Sequence, residues 1–335
     1  MKKFLINIAL FSLPVLLLFS ETFLPVDFFS YRPWEALMYS HNDYLVPYYP
    51  NADLTMESEG DLCHHTENAI TKNERWVTDS MGYRNNQFTS NPDILIIGDS
   101  FIVGSGMTQD STLGNVLDRM LGAEKSVYTM SPSPFIDFVR VINSGKIKKP
   151  KTVIYSNVER SIPKPLDKSQ YDDQVHNSSE LSIVKDRATR MYSLNYIFAR
   201  ITGKNGPGVA GINDEMFFLN GANQEYLYDR IVEVRENILT YKRYCDSIGV
   251  EFIYMPMPNK ETFYYERVPF ENQPNYINQL SEMLIKKGVN VVNTLEIFNL
   301  ERKQSEQLLY QLDDTHWNSN GVKVIASELE SKINY

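Results

Sequence analysis

Short, almost wholly apolar runs separated by amphipathic stretches constrain this chain more than any other feature. Residues 94–97, 127–129, 152–155, 250–255 and 289–292 have the length and composition of buried strands. Between and after them, residues 113–121, 135–142, 226–248 and 280–285 place apolar side chains at helical spacing, and a further helix closes the chain. Buried strands alternating with helices imply a mainly parallel sheet covered on both faces, because parallel crossovers lay their helices over the sheet. The expected fold class is therefore α/β, a three-layer α/β/α sandwich. In such sheets reactive groups collect beyond the carboxyl ends of the strands.

Three other segments stand outside the alternation. Met1-Lys2-Lys3 precedes an apolar run over residues 4–19, the pattern of a secretory signal or signal anchor. As a helix that run is about 24 Å long at 1.5 Å per residue, and residues 23–29 can extend it into the membrane interface. No small-x-small cleavage site follows, so residues 1–29 are expected to stay as a membrane anchor. The two lysines would then remain on the cytoplasmic side and everything after them outside the cytoplasm. Residues 30–90 read as a lead-in of loops and short strands, and residues 91–335 as the catalytic domain. Within that domain, residues 161–223 break the alternation with Pro163, Pro165, Gly203, Gly206, Pro207 and Gly208 and are expected to be an insertion. Its aromatics Tyr192, Tyr196, Phe198, Phe217 and Phe218 suit either a sugar-stacking lid or the packing of the insertion's own helices.

The formal charge of −9 and the absence of a Lys/Arg-rich cluster argue against a nucleic-acid partner, which requires concentrated positive charge. The two cysteines, Cys63 and Cys245, are not expected to pair, since Cys245 falls on the apolar face of a helix. Cys63-His64-His65 lacks a second cluster at metal-ligand spacing, so neither metal nor cofactor is expected. Asp172-Asp173 sits in a polar loop and is expected to face solvent.

Chemistry concentrates at two places. The strand at 94–97 empties into Gly98-Asp99-Ser100, and more than two hundred residues later the chain reads Asp313-Asp314-Thr315-His316-Trp317-Asn318-Ser319-Asn320-Gly321. A serine hydroxyl becomes a nucleophile when an imidazole takes its proton and a carboxylate orients that imidazole. Of the five histidines, His41, His64, His65, His176 and His316, only His316 has carboxylates suitably near in sequence, at Asp313 and Asp314. No Gly-x-Ser-x-Gly occurs, so the sharp nucleophile elbow is not in use. The backbone N–H of Ser100, directly after a buried strand, is placed to help hold an oxyanion.

These two motifs resemble those of the SGNH (GDSL-type) hydrolase superfamily, and the Asp-Thr-His-Trp wording is similar to the alginate O-acetyltransferase branch. Val158-Glu159-Arg160 and Pro256-Met257-Pro258-Asn259-Lys260 are similar to passages of the same branch, although there the Asp-His motif precedes the serine motif. The resemblance covers residues 76–335 and implies a flavodoxin-like fold. Ser100 would be the acetyl-accepting nucleophile and His316 the base. Asp314 would orient it, as in Asp-x-His-Trp, or Asp313, as in the Asp-x-x-His of ordinary SGNH esterases. The superfamily's oxyanion glycine is replaced here by the segment around Ser131, and Asn157 falls where many members place an oxyanion asparagine. The implied activity is that of an exported O-acetyltransferase or acetylesterase acting on a polysaccharide acceptor, supplied by a membrane-bound O-acyltransferase partner. The alternatives are a secreted lipase or peptidoglycan esterase, and a catalytically silent polysaccharide-binding scaffold.

Overall fold

The computed structural model describes residues 1–39, 46–171, 179–190, 192–212, 215–220 and 226–333. His41, His176 and the Asp172-Asp173 pair lie outside the described residues. The chain begins with α1 (Lys2–Phe23) and α2 (Pro33–Leu37), followed by an antiparallel hairpin of β1 (Asp53–Ser58) and β2 (Lys72–Val77). The alternating part follows as β3 (Ile94–Ile97), α3 (Ser100–Val103), α4 (Leu113–Leu121), β4 (Val127–Met130), α5 (Phe135–Asn143) and β5 (Thr152–Val158). The stretch read as an insertion carries α6 (Glu180–Thr189), α7 (Tyr192–Ile201) and the small antiparallel pair β6 (Gly208–Ala210) and β7 (Phe217–Leu219). Then come α8 (Tyr226–Asp229), α9 (Ile231–Ile248), β8 (Glu251–Met257), α10 (Lys260–Phe263) and α11 (Tyr276–Ile285). The chain ends on β9 (Asn290–Val291), α12 (Thr294–Gln304) and α13 (Ser319–Ile333).

The central sheet has the order β4-β3-β5-β8-β9, and every neighbouring pair in it is parallel. Its strands are buried along nearly their whole length, which explains why they read as continuous apolar runs rather than alternating ones. From β3 the chain crosses to β4 on one side, then returns past β3 to β5 and continues to β8 and β9. Right-handed crossovers in opposite directions place α4 on one face and α5, α9 and α11 on the other. Accordingly α13 packs against α4, while Phe135 of α5 stacks on Tyr241 of α9 at 4.2 Å with Tyr155 of β5 edge-on to both. The expected helix over 226–248 breaks at Arg230 into α8 and α9. Cys63 and Cys245 are buried free thiols. Among the described residues, no helix is long and apolar enough to cross a membrane.

Candidate active site

Ser100 opens α3 one residue past the turn at the end of β3. Gly98 makes that turn possible, because a Cβ there would meet Ile102 Cγ1 at 2.4 Å and the Ser156 carbonyl at 2.9 Å. Asp99 caps the helix by accepting the Phe101 N–H at 3.0 Å, and its second oxygen accepts the Val158 N–H at 2.6 Å. Its role in the Gly-Asp-Ser turn is structural: it locks the serine's helix to the end of β5. Burial raises the Asp99 carboxyl above its usual range, against the lowering effect of these two N–H donors.

His316 reaches the serine from the loop that precedes α13. Its Nε2 lies 2.7 Å from Ser100 Oγ, and its Nδ1 lies 2.5 Å from Asp314 Oδ1. The same Asp314 oxygen accepts the His316 backbone N–H at 2.9 Å, so ring and backbone are fixed together. Phe101 packs against the imidazole at 4.8 Å, and the Trp317 indole donates to the Phe101 carbonyl at 3.0 Å. Asn318 then starts α13 by accepting the Asn320 and Gly321 N–H groups.

Contacts from elsewhere in the chain decide between the adjacent acids. Asp314 faces the imidazole. Asp313 turns the other way and accepts Lys72 Nζ at 2.8 Å, Gly60 N–H at 3.0 Å and Ile70 N–H at 3.0 Å. Asp313 is therefore corrected from a candidate His316 partner to the anchor of the lead-in segment. Burial alone would raise the Asp314 carboxyl. Attraction to His316, their hydrogen bond and the Lys72 charge outweigh it and hold Asp314 well below the usual carboxylate range.

A third acid, Asp61, completes this corner and was not identified from sequence. Its oxygens accept the Thr315 N–H at 2.8 Å and the Thr315 hydroxyl at 2.7 Å. Its own N–H donates to Asp314 Oδ2 at 2.9 Å, and its Oδ2 stands 3.7 Å from His316 Nδ1. Burial and the Asp314 charge push the Asp61 carboxyl upward, while Asp314 is held low. Asp61, Asp314 and His316 are also the one group of possible metal ligands among the described residues. Here each ligand atom already has a hydrogen-bond partner within the triad or on Thr315. Lys260, wholly buried, holds the loop from the other side by donating to the Leu312 and Asp314 carbonyls at 2.9 and 3.0 Å. Burial brings its ammonium down to about 8.

The side chains expected on the oxyanion side are used differently. Asn157 spends its amide hydrogens on the Val158 and Ser161 carbonyls, at 3.1 and 2.8 Å, and its oxygen accepts from Tyr254. Ser131 is fully buried, with its hydroxyl 2.6 Å from the Asp99 carbonyl and 3.1 Å from that of Gly98. Ser131 braces the turn that carries Ser100, whereas Asn157 spends its amide on the segment after β5, which corrects its assignment as a side-chain oxyanion donor. Glu159 ties the ends of β5 and β8 together by accepting the Asn259 N–H at 3.0 Å and the Thr262 hydroxyl at 2.6 Å. Burial lifts its carboxyl to about 7. Of the insertion's aromatics, Phe218 is buried and Tyr196 packs on Phe29 and His65, while the side chain of Tyr192 lies outside the described set.

Beside this corner, a groove of about 610 Å³ runs along the carboxyl edge of the sheet. Its walls include Gly98 and Asp99, Pro132 and Phe135 from the loop after β4, and Ile162 and Leu166 from the segment after β5.

No family model and no curated protein matches the chain. Among solved structures it is similar to a lipase/acylhydrolase from Enterococcus faecalis at 14% identity, covering 73% of this chain and 95% of that one, with a TM-score of 0.39. It is also similar to a member of the lipolytic protein G-D-S-L family from Veillonella parvula DSM 2008, at 11% identity over 71% of this chain and 96% of the other, TM-score 0.35. At such distances the chemistry has to be argued from the side chains themselves.

Proposed function

We propose that this protein is a serine enzyme of acyl-ester chemistry, an exported and membrane-tethered O-acetyltransferase or acetylesterase that acts on a cell-envelope or secreted polysaccharide. The observation that carries the reading is the continuous contact from Ser100 Oγ through His316 to Asp314. His316 Nε2 takes the hydroxyl proton as Ser100 Oγ bonds to the ester carbonyl carbon, and Asp314 stabilises the imidazolium that forms. The Ser100 backbone N–H, at the first position of α3, faces the developing oxyanion. Collapse expels the alcohol, which leaves with the proton from His316, and acetyl-serine remains. A sugar hydroxyl or water then gives its proton to His316 and attacks the acetyl carbon, restoring Ser100. The tether is supported by α1, where Phe4, Leu5 and Ile6 are all more than half exposed and offer lipid an apolar surface. A membrane-bound O-acyltransferase is the partner class that would supply acetyl groups.

The groove favours a second reading, an esterase for longer acyl chains, because its lining is mainly apolar and abuts the turn carrying Ser100. A series of p-nitrophenyl esters separates the two. Highest kcat/KM on the acetate supports the first reading, and a maximum at six carbons or beyond supports the second.

A further inference from the structure

Two helices of the insertion turn apolar stripes outward. In α7, Leu194, Ile197, Phe198 and Ile201 recur at i, i+3, i+4 and i+7, one face of a helix, and are 47–79% exposed. Tyr196, on the opposite side, packs on Phe29 and His65. In α6 the inward face is Ile183, which packs near Tyr49, and Asp186, which accepts the Tyr49 hydroxyl at 2.8 Å and pairs with Arg190. Leu181 and Val184 point the other way and are exposed.

The position and charge of these stripes select their occupant. Both helices pack against α1, and Arg187 of α6 donates to the Leu24 carbonyl just past its end. Exposed Lys185, Arg200 and Lys204 accompany the stripes, and the Lys204 ammonium lies over the Phe198 ring at 5.8 Å. An apolar face edged by cations is the composition of a helix lying in the headgroup layer of an anionic bilayer. We propose that α6 and α7 rest on the lipid surface beside α1, their stripes sunk to the acyl boundary, so that the insertion is a second membrane contact. Because α7 bears on His65, in the same loop as Asp61, this contact would set the catalytic corner close above the bilayer. The inference rests on the tether reading of α1.

The test uses the full chain in vesicles of phosphatidylcholine with phosphatidylglycerol, carrying a nitroxide at Phe198→Cys, at Leu10→Cys in α1, or at Lys303→Cys as the solvent reference. The result expected is collision with a water-soluble nickel chelate at least fivefold weaker at positions 198 and 10 than at 303, with oxygen collision stronger. A lipid-like signal at 10 together with a solvent-like signal at 198 overturns this inference and leaves the tether standing. Solvent-like signals at both positions overturn the two together. Shielding of 198 from both reagents, with dipolar broadening between labels, identifies a second copy of the chain as the occupant and overturns the lipid assignment.

Discussion

The catalytic corner and the insertion helices solve opposite problems. Around His316, the charges of Asp313, Asp314 and Lys260 are almost wholly buried and each is paired or hydrogen-bonded. Unpaired buried charge is costly, so such a corner persists only when its partners are all in place. Those partners come from far along the chain: Asp61 and Lys72 from the lead-in, Lys260 from the start of α10. On α6 and α7, by contrast, one face is held by the body and the other leaves large apolar side chains uncovered. Dense satisfaction on one side and uncovered surface on the other separate a site built to hold a geometry from a surface built to meet something else.

If that contrast is right, substitutions at the corner should act on activity or cooperative stability, and those on the stripes on neither. The largest loss is expected for Ser100→Ala and His316→Ala, each lowering kcat/KM on p-nitrophenyl acetate by about 10³-fold or more, with near-parental melting. Next comes the split between neighbours. Asp314→Asn should cost about 10³-fold in kcat, whereas Asp313→Asn should leave catalysis close to parental and cost about 2 kcal/mol of stability by removing the charge that faces Lys72, which keeps its hydrogen bond to Gln311. Chemical denaturation beside steady-state kinetics checks this, and exchanged phenotypes would reverse the assignment. Asp61→Asn retains an acceptor for Thr315 but removes an acidic group 3.7 Å from the imidazole, so an intermediate loss of about tenfold in kcat at unchanged KM is expected.

Glu159 makes a smaller prediction with a definite sign. Its folded carboxyl, raised by burial from 4.5 to about 7, binds a proton that the unfolded chain has released. Its contribution is complete below about pH 4.5 and is lost as pH rises through about 7. Glu159→Gln should flatten that part of the stability–pH curve, as measured by urea unfolding at pH 5 and pH 8. Smallest of all, Ile201→Ser on the outward stripe should shift stability by no more than about 0.5 kcal/mol.

Much of this was legible along the chain for a physical reason. Strands buried on both faces must be apolar throughout, so 94–97, 152–155 and 250–255 announce the parallel sheet, and a serine directly after such a strand lands at its reactive edge. Spacing cannot choose between Asp313 and Asp314, because neighbouring residues of an extended loop point opposite ways and only Lys72, Gly60 and Ile70 show which way Asp313 faces. Asp61 was missed because its partner Thr315 lies 254 residues away. A faint signal existed in Gly60 beside it, where a Cβ would stand 2.2 Å from the Asp313 carbonyl oxygen. Helix α12 was missed although Asn293 caps it and Leu295 and Phe298 bury its face. The Asn157 and Ser131 side chains give their hydrogen bonds to the backbone carbonyls around them, which spacing along the chain does not show.

The central claim is that Ser100 is a nucleophile activated by His316. Treating the folded chain with a sulfonyl fluoride and mapping the adduct by mass spectrometry tests it directly. Modification of the peptide carrying Ser100, lost in His316→Ala, is the predicted result. An unmodified Ser100 in a chain that still cleaves p-nitrophenyl acetate would contradict it.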